Sequence, residues 1–377
     1  MHFSKQLVSI ILVSLVSIVN TGCNDSNVWQ EPFPERLTIS VVDSIGIETG
    51  DSCYVLGSIA DAEVTPSGDI LLLDKSICSI RKYTPEGIHL YDISRHGNGP
   101  GELLYPFNMT VMPDGDVMVG DMHKNSIVVL SETGESLEEL SDWFFFQPTS
   151  ITALSENMFA GCEMNYDMTG SHLLIIVKPS LYSYFSSSPE YSYMADTLMF
   201  NLDGSDAPVS AEGMTDVTLM ASDLDGRIFY SRKSSSEGVV HCWDIEGTPL
   251  FSVSSGISPV AKTEREILDE TEYTGMQFAA LGANGLPEGY EPDPYHILVE
   301  NIGVDPEGNL WVQRGTEANP VFDVFNEAGV HAATAEFPHA GRFWQFSITP
   351  YGTLAWNNDP LSGIQKLYMI DLPALSR

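Results

Sequence analysis

One short turn recurs six times along the chain, and nothing else in the sequence limits the fold as much. Pro66-Ser67-Gly68 leads into Ile70-Leu71-Leu72, and Pro113-Asp114-Gly115 into Val117-Met118-Val119. Asp225-Gly226 precedes Ile228-Phe229-Tyr230, and Pro306-Glu307-Gly308 precedes Leu310-Trp311-Val312. Pro350-Tyr351-Gly352 precedes Leu354-Ala355-Trp356, while Ser155-Glu156-Asn157, ahead of Met158-Phe159, is a degenerate copy. Proline at the second turn position presets φ, and glycine at the fourth suits a type I turn. Two and three places after each turn residue the side chains are apolar in all six copies. Adjacent apolar positions describe a strand buried on both faces, as when sheets stack face to face.

Between turn residues 68, 115, 157, 226, 308 and 352 the steps are 47, 42, 69, 82 and 44 residues. Three of these match the roughly 40–50 residues of a four-stranded propeller blade. The two long steps place insertions in the third and fourth blades. A third strand is expected over 79–84, 126–131, 239–244, 320–326 and 365–371, and an outer strand follows, such as 88–94. After Asp371 only six residues remain, so the sixth blade lacks an outer strand. Residues 37–47, with Leu37, Ile39, Val41 and Val42, are expected to supply it and close the ring, which removes the open edge. The expected fold is all-β: a six-bladed β-propeller of four-stranded antiparallel blades, the last completed by the N-terminal strand, with one short helical insertion. Thr263-Glu264-Arg265-Glu266 is a capping box that starts this helix, and 267–281 continue it. Residues 182–193 read as an irregular elaboration of blade three.

The N-terminus reads as a targeting segment. Lys5 precedes an apolar run from Leu7 to Val19 that suits a secretory signal better than a membrane span. Thr21-Gly22-Cys23 resembles a bacterial lipobox, with a departure at Asn20, where leucine is usual. The expected organisation is a signal peptide over 1–22, a lipidated tether over 23–36 with lipid on Cys23, and the propeller over 37–377. The expected location is the bacterial cell envelope, exported and lipid-anchored at the periplasmic face or the outer membrane. An ordinary signal peptide with a chance cysteine is the plainer alternative.

Seventeen Lys+Arg stand against 52 Asp+Glu, a formal net charge of −35. Such a surface repels phosphate backbones, so nucleic acid is not an expected partner. Cys53, Cys78, Cys162 and Cys242 are scattered singly, without the paired spacing of a zinc or redox site. Export would permit disulfides among them; buried free thiols are the other reading.

The residues resemble the six-bladed propeller lipoproteins of bacteria related to NHL-repeat proteins. The marks are Gly97-Asn98-Gly99-Pro100-Gly101-Glu102, Leu310-Trp311-Val312 after its turn, and Asp121 followed by Asn125 and Ile127. The resemblance covers residues 37–373 and implies architecture more than chemistry. Relatives of the wider class include calcium-dependent lactonases, a lyase that uses zinc and calcium, and binding scaffolds.

Six places after each turn residue stand Asp74, Asp121, Glu163, Arg232, Arg314 and Asn358. If the ring closes, these strand ends crown the mouth of the central channel. Three acids followed by two arginines could hold a polar or zwitterionic ligand, and the acids could hold a hard cation. The competing explanation is that strand ends are polar because loops are wet. Arg95 and His96, in the loop that ends at Glu102, and His123 beside Asp121 are further ligand candidates; the glycines and Glu102 read as a tight connector. Trp143-Phe144-Phe145-Phe146 and Tyr182, Tyr184, Phe185, Tyr191 and Tyr193 cluster near blade three, where core packing explains the first group most simply. No nucleophile elbow and no paired histidine motif is present. The sequence therefore points to a non-catalytic envelope module that binds a small polar ligand or another envelope protein, without a cofactor. The alternative is a calcium-dependent hydrolase or lyase with Asp74, Asp121 and Glu163 about a central Ca2+.

Overall fold

The structure is a computed structural model. It describes residues 34–141, 143, 147–169, 172–183, 186–193, 196–201, 218–254, 256–280, 286, 290–358 and 365–375. Cys23, the segment before residue 34, Phe144 to Phe146, Tyr184 and Phe185 lie outside them. Residues Pro34–Arg377 form one compact unit.

Six sheets, each with four antiparallel strands, follow one another around an axis. Blade one is Ile59–Val64, Ile70–Asp74, Ser79–Tyr83 and His89–Asp92, and blade two is Pro106–Val111, Val117–Asp121, Ser126–Leu130 and Ser136–Leu140. Blade four is Thr218–Ser222, Ile228–Arg232, Val239–Trp243 and Pro249–Ser254. Blade five is Val299–Val304, Leu310–Arg314, Val321–Phe325 and His331–Glu336. The first strand of each blade touches the first strands of its two neighbours, so these strands wall a central channel. The second and third strands of blades one and two are buried along their whole length, as the paired apolar positions require.

The turn has a fixed hydrogen-bond pattern. Gly68 N–H donates to the Thr65 carbonyl at 2.9 Å, and Thr65 N–H donates to the Asp69 carbonyl at 2.8 Å. Gly115 repeats the first bond with Met112. Both glycines sit at positive φ, 88° and 94°, where a side chain would be strained. Blade five repeats both bonds through Gly308 and Asp305, and the Asp305 carboxylate also accepts from the amides of Glu307 and Asn309, and from the Trp311 indole N–H at 2.8 Å. Trp311 itself is fully buried, between blades five and six. Six apolar seams, one between each pair of adjacent blades, make up the core. Truncating a side chain such as Trp311 to alanine costs about 3–5 kcal/mol in such a setting.

The N-terminal segment does more than close the ring. Ser40–Ile45 pairs antiparallel with Leu367–Asp371 and completes blade six beside Trp344–Thr349 and Gly352–Asn357. Glu35–Thr38, which begins within the expected tether, instead runs parallel to His331–Glu336 as a fifth strand of blade five. Between the two strands Ile39 is fully buried, and its amide donates to the Glu336 carbonyl. A single apolar segment thus bridges two blades. Its alternation alone did not reveal that its two halves pair with different sheets.

Blade three departs from the irregular elaboration expected. Its second and third strands, Met158–Thr169 and His172–Ser183, are twelve residues each. They pair along their full length, beyond the first strand Ile151–Ser155. Pro189–Ser192 and Asp196–Asn201 pair with successive halves of His172–Ser183. Tyr182 is core: it stacks on Phe159 at 4.9 Å and meets Trp143 edge-on. Tyr193 stacks on Trp243 of blade four.

The insertion after blade four is the helix α1, Glu264–Ala280. Its capping box forms as read: Thr263 N–H donates to the Glu266 carboxylate at 2.8 Å, and Glu266 N–H donates to Thr263 Oγ1 at 3.3 Å. The neck of the insertion is a short ladder, Lys262 N–H to Pro294 O and His296 N–H to Val260 O. All four cysteines of the described residues are free thiols. Burial pushes Cys162 and Cys242 up to about 12, so both are inert as nucleophiles at neutral pH.

Candidate functional site

A cavity of about 1500 Å³ runs along the channel and opens beneath helix α1. Its wall is built from the first strands, whose outward edges leave backbone groups without a ladder partner. Polar side chains from the neighbouring blade take those groups. Asp61 accepts from Met109 N–H at 2.9 Å, and Glu63 from Val111 N–H at 2.8 Å, which joins blade one to blade two. Asn108 Nδ2 donates to the Thr149 carbonyl, and Thr110 Oγ1 accepts from Ala153 N–H at 3.1 Å, which joins blade two to three. Ser222 reaches back to the Ala153 carbonyl, and Asn301 Nδ2 donates to the Phe346 carbonyl of blade six. Gln365 closes the ring by accepting from Ile59 N–H.

Burial pushes the Asp61 carboxyl up to about 7 and raises Glu63 well above the usual carboxylate range, with Asp61 adding to the Glu63 shift. The Tyr351 hydroxyl is raised by burial and by the nearby Glu63. Sequence reasoning missed this polar lining. The signal was present: seven and five places before the turn residue stand Asp61 and Glu63, Asn108 and Thr110, Ser150 and Thr152, and Gln345 and Ser347. Alternate polar residues on a strand whose other face is apolar mark a wall that meets water.

The residues expected to crown the channel separate into two groups. Arg232 and Asn358 do line the mouth. Asp74, Asp121 and Glu163 do not face it. Asp74 is buried and accepts from the amides of Gly57, Ser58 and Ser76, with Arg81 at 3.7 Å. Asp121, also buried, accepts from the amides of Leu104, Tyr105, His123 and Lys124. In each blade the carboxylate ties the loop after the second strand to the segment entering the first. Glu163 accepts from the Tyr182 hydroxyl at 2.7 Å. The three acids thus stand apart, each on its own blade. Among the described residues no three His, Cys, Asp or Glu side chains are placed to hold a metal ion.

Arg314 turns toward Asp323 in its own blade, with bonds of 3.0 and 2.7 Å that strengthen its charge. Arg95 pairs with Glu102 at 2.8 Å and is otherwise exposed. Glu102 also accepts from Gly99 N–H, and that bond, ahead of Arg95, lowers its pKa. Gly97 packs so close to Glu102 that a Cβ there would lie 2.1 Å from its carboxylate. Lys124 fixes the same loop through the Gly99 carbonyl. The loop is a connector, as its glycines suggested. His96 is exposed, and His123 stacks on Tyr105 at 4.8 Å; neither lines the channel.

Six of the seventeen basic residues line the cavity: Lys75, Arg232, Lys233, Lys262, Arg265 and Arg342. Five of them belong to blade four, the helical insertion or the loop before blade six. Arg342 binds Glu266 at 2.9 Å and donates to the Glu317 carbonyl at 3.1 Å, so the capping carboxylate also pins the helix over the mouth. Lys262 pairs with Glu270, Lys233 with Glu300 at 3.5 Å, and Arg265 with Asp269 at 2.6 Å. His296, buried beside Glu266, is pushed below its usual pKa by burial and then by Arg342, so its ring is neutral at pH 7.

No family model matches the chain, and no curated protein matches it in sequence. Solved structures do. A member of the DUF4221 family from Bacteroides vulgatus is 11% identical with a TM-score of 0.50, covering 88% of this chain and 97% of its own. A Bacteroides fragilis protein described as exported is 13% identical with a TM-score of 0.50, covering 90% and 99%. The fold is shared with these propellers. A gluconolactonase from Xanthomonas campestris is 10% identical with a TM-score of 0.41, covering 88% and 98%. At such identities the likeness concerns architecture, and chemistry has to come from the site itself. Among the described residues no helix is long and apolar enough to cross a membrane.

Proposed function

We propose that this protein is a non-catalytic binding propeller of the cell envelope that takes a small polar ligand at the helix-covered mouth of its channel. One observation carries the reading: a 1500 Å³ cavity gathers six of seventeen basic residues in a chain of net charge −35. Charged groups of both signs around a cavity of ligand size favour a small polar or zwitterionic molecule over nucleic acid. The calcium-dependent hydrolase reading has less support, because Asp74 and Asp121 give their oxygens to backbone amides. The test is a thermal-shift screen of sugars, amino acids, carboxylates and phosphates against the wild-type chain and Ser347→Phe, which narrows the channel. A ligand that stabilises the first and not the second supports the reading. If every class leaves both chains unshifted, the reading fails.

Membrane attachment through Cys23 belongs to the same proposal and rests on the Thr21-Gly22-Cys23 pattern after an apolar run. Cys23→Ser is expected to move the protein from the membrane to the soluble fraction. Retention of the variant in the membrane fraction would remove the anchor from the proposal.

A further inference from the structure

Beside the channel mouth lies a second hollow of about 150 Å³, the liquid volume of about five waters. It sits where the neck of the insertion meets the top of blade five and the loop before blade six. Lys262, His296, Glu300 and Arg342 line both this hollow and the main cavity, so the two adjoin at these side chains.

Gln313 also lines it. The residue is 3% exposed, and its side-chain oxygen has no hydrogen-bond partner among the described residues. A buried carbonyl acceptor without a donor costs about 1–3 kcal/mol, and folded proteins seldom leave one unmet. The remaining walls carry both signs of charge. Lys262, Arg342 and Arg314 supply cations, already paired with Glu270, Glu266 and Asp323. Glu300 and Glu317 supply anions, 3.5 Å from Lys233 and 3.8 Å from Arg314. An ammonium has three N–H donors, so Lys262 keeps donors beyond the one that Glu270 takes.

Each ligand class meets these walls differently. A phosphate would satisfy the cations, but it faces two carboxylates and offers Gln313 no donor when fully ionised. A quaternary amine has no N–H for Gln313. A neutral sugar can donate to Gln313 and leaves the charged walls without a counterpart. A molecule with a carboxylate next to a protonated primary amine meets all three.

We propose that this hollow is the anchoring subsite for a free α-amino acid, and the inference rests on the reading of the channel mouth as a binding site. Its carboxylate lies against Lys262 and Arg342. Its ammonium donates to Gln313 Oε1 and faces Glu300 and Glu317. Its side chain points into the main cavity, where the larger volume accommodates different sizes.

The experiment is calorimetric titration of the extensively dialysed full-length chain with glycine, serine and leucine, alongside acetate, methylammonium, inorganic phosphate and glucose. At least one amino acid is expected to bind, with acetate and methylammonium each too weak to detect. Gln313→Met replaces the orphan acceptor by an apolar side chain of similar shape, so its melting temperature should equal or exceed that of the wild type. The same variant should bind the amino acid about tenfold more weakly or worse, because the donated bond is lost. Undiminished amino-acid binding by Gln313→Met overturns the subsite. So does a chain that binds another ligand, blocked by Ser347→Phe and indifferent to Gln313→Met, although the channel reading then survives. A chain that binds nothing overturns both.

Discussion

Around one channel mouth, blades one and two use charge differently from blades four to six. On the first side the carboxylates of Asp61, Glu63, Asp74 and Asp121 accept backbone N–H groups. On the second, Lys233, Lys262, Arg265 and Arg342 meet the side chains of Glu300, Glu270, Asp269 and Glu266. A carboxylate committed to amides ties strands or loops together and has fewer lone pairs free for a ligand. A pair with substantial exposure, as Arg342–Glu266 and Arg265–Asp269 have, is worth about 0–1 kcal/mol and can exchange its partner for a ligand at little cost. The same formal charges are scaffold on one side and available surface on the other.

The largest test of this contrast is Asp121→Ala. Four amides lose their buried acceptor, so a loss of about 3–5 kcal/mol is expected in urea unfolding. A loss near zero would place Asp121 with the dispensable charges. The next test uses pH. Asp61 sits at about 7 in the folded chain against an ordinary value of 3.8, so the native state binds the extra proton. Stability from this group is therefore greatest below about pH 4 and falls as pH rises toward about 7. Asp61→Asn should flatten that part of the pH profile by on the order of 2 kcal/mol, read from chemical denaturation at pH 5 and about pH 8. An unchanged slope would assign the pH dependence elsewhere. On the opposite wall Arg342→Gln should cost no more than about 1 kcal/mol, since its ion pair with Glu266 is partly exposed. Smallest of all, Arg265→Ala removes an exposed pair one helical turn apart and should shift stability by about 0.3 kcal/mol. A larger change from either arginine would make the second wall structural too.

Much of the fold was legible in the sequence because each blade repeats the same local physics. Gly68 and Gly115 mark turns that need positive φ, and paired apolar residues such as Leu71 with Ile70 mark strands covered on both faces. The capping box at Thr263 was equally local. The site was harder to read. Asp74 and Arg232 occupy the same place in the repeat, yet one faces amides and the other a cavity. That difference is set by which loop folds over the strand end, and no single-blade pattern contains it. Gln313 gave no signal at all, since a buried glutamine looks ordinary until its surroundings are known. The division of the N-terminal segment was hidden for a similar reason: Leu37 and Val41 share one apolar rhythm but pair with different sheets, those of blades five and six.

That segment also sets an order of events. Ser40 pairs with Asp371, so two edges remain open until every blade between them has been made. Contacts this distant in sequence form late and slowly, and unpaired strand edges invite misassembly meanwhile. Deleting Leu367–Asp371 should therefore leave a longer-lived, protease-sensitive species during refolding, even though five sheets precede the cut.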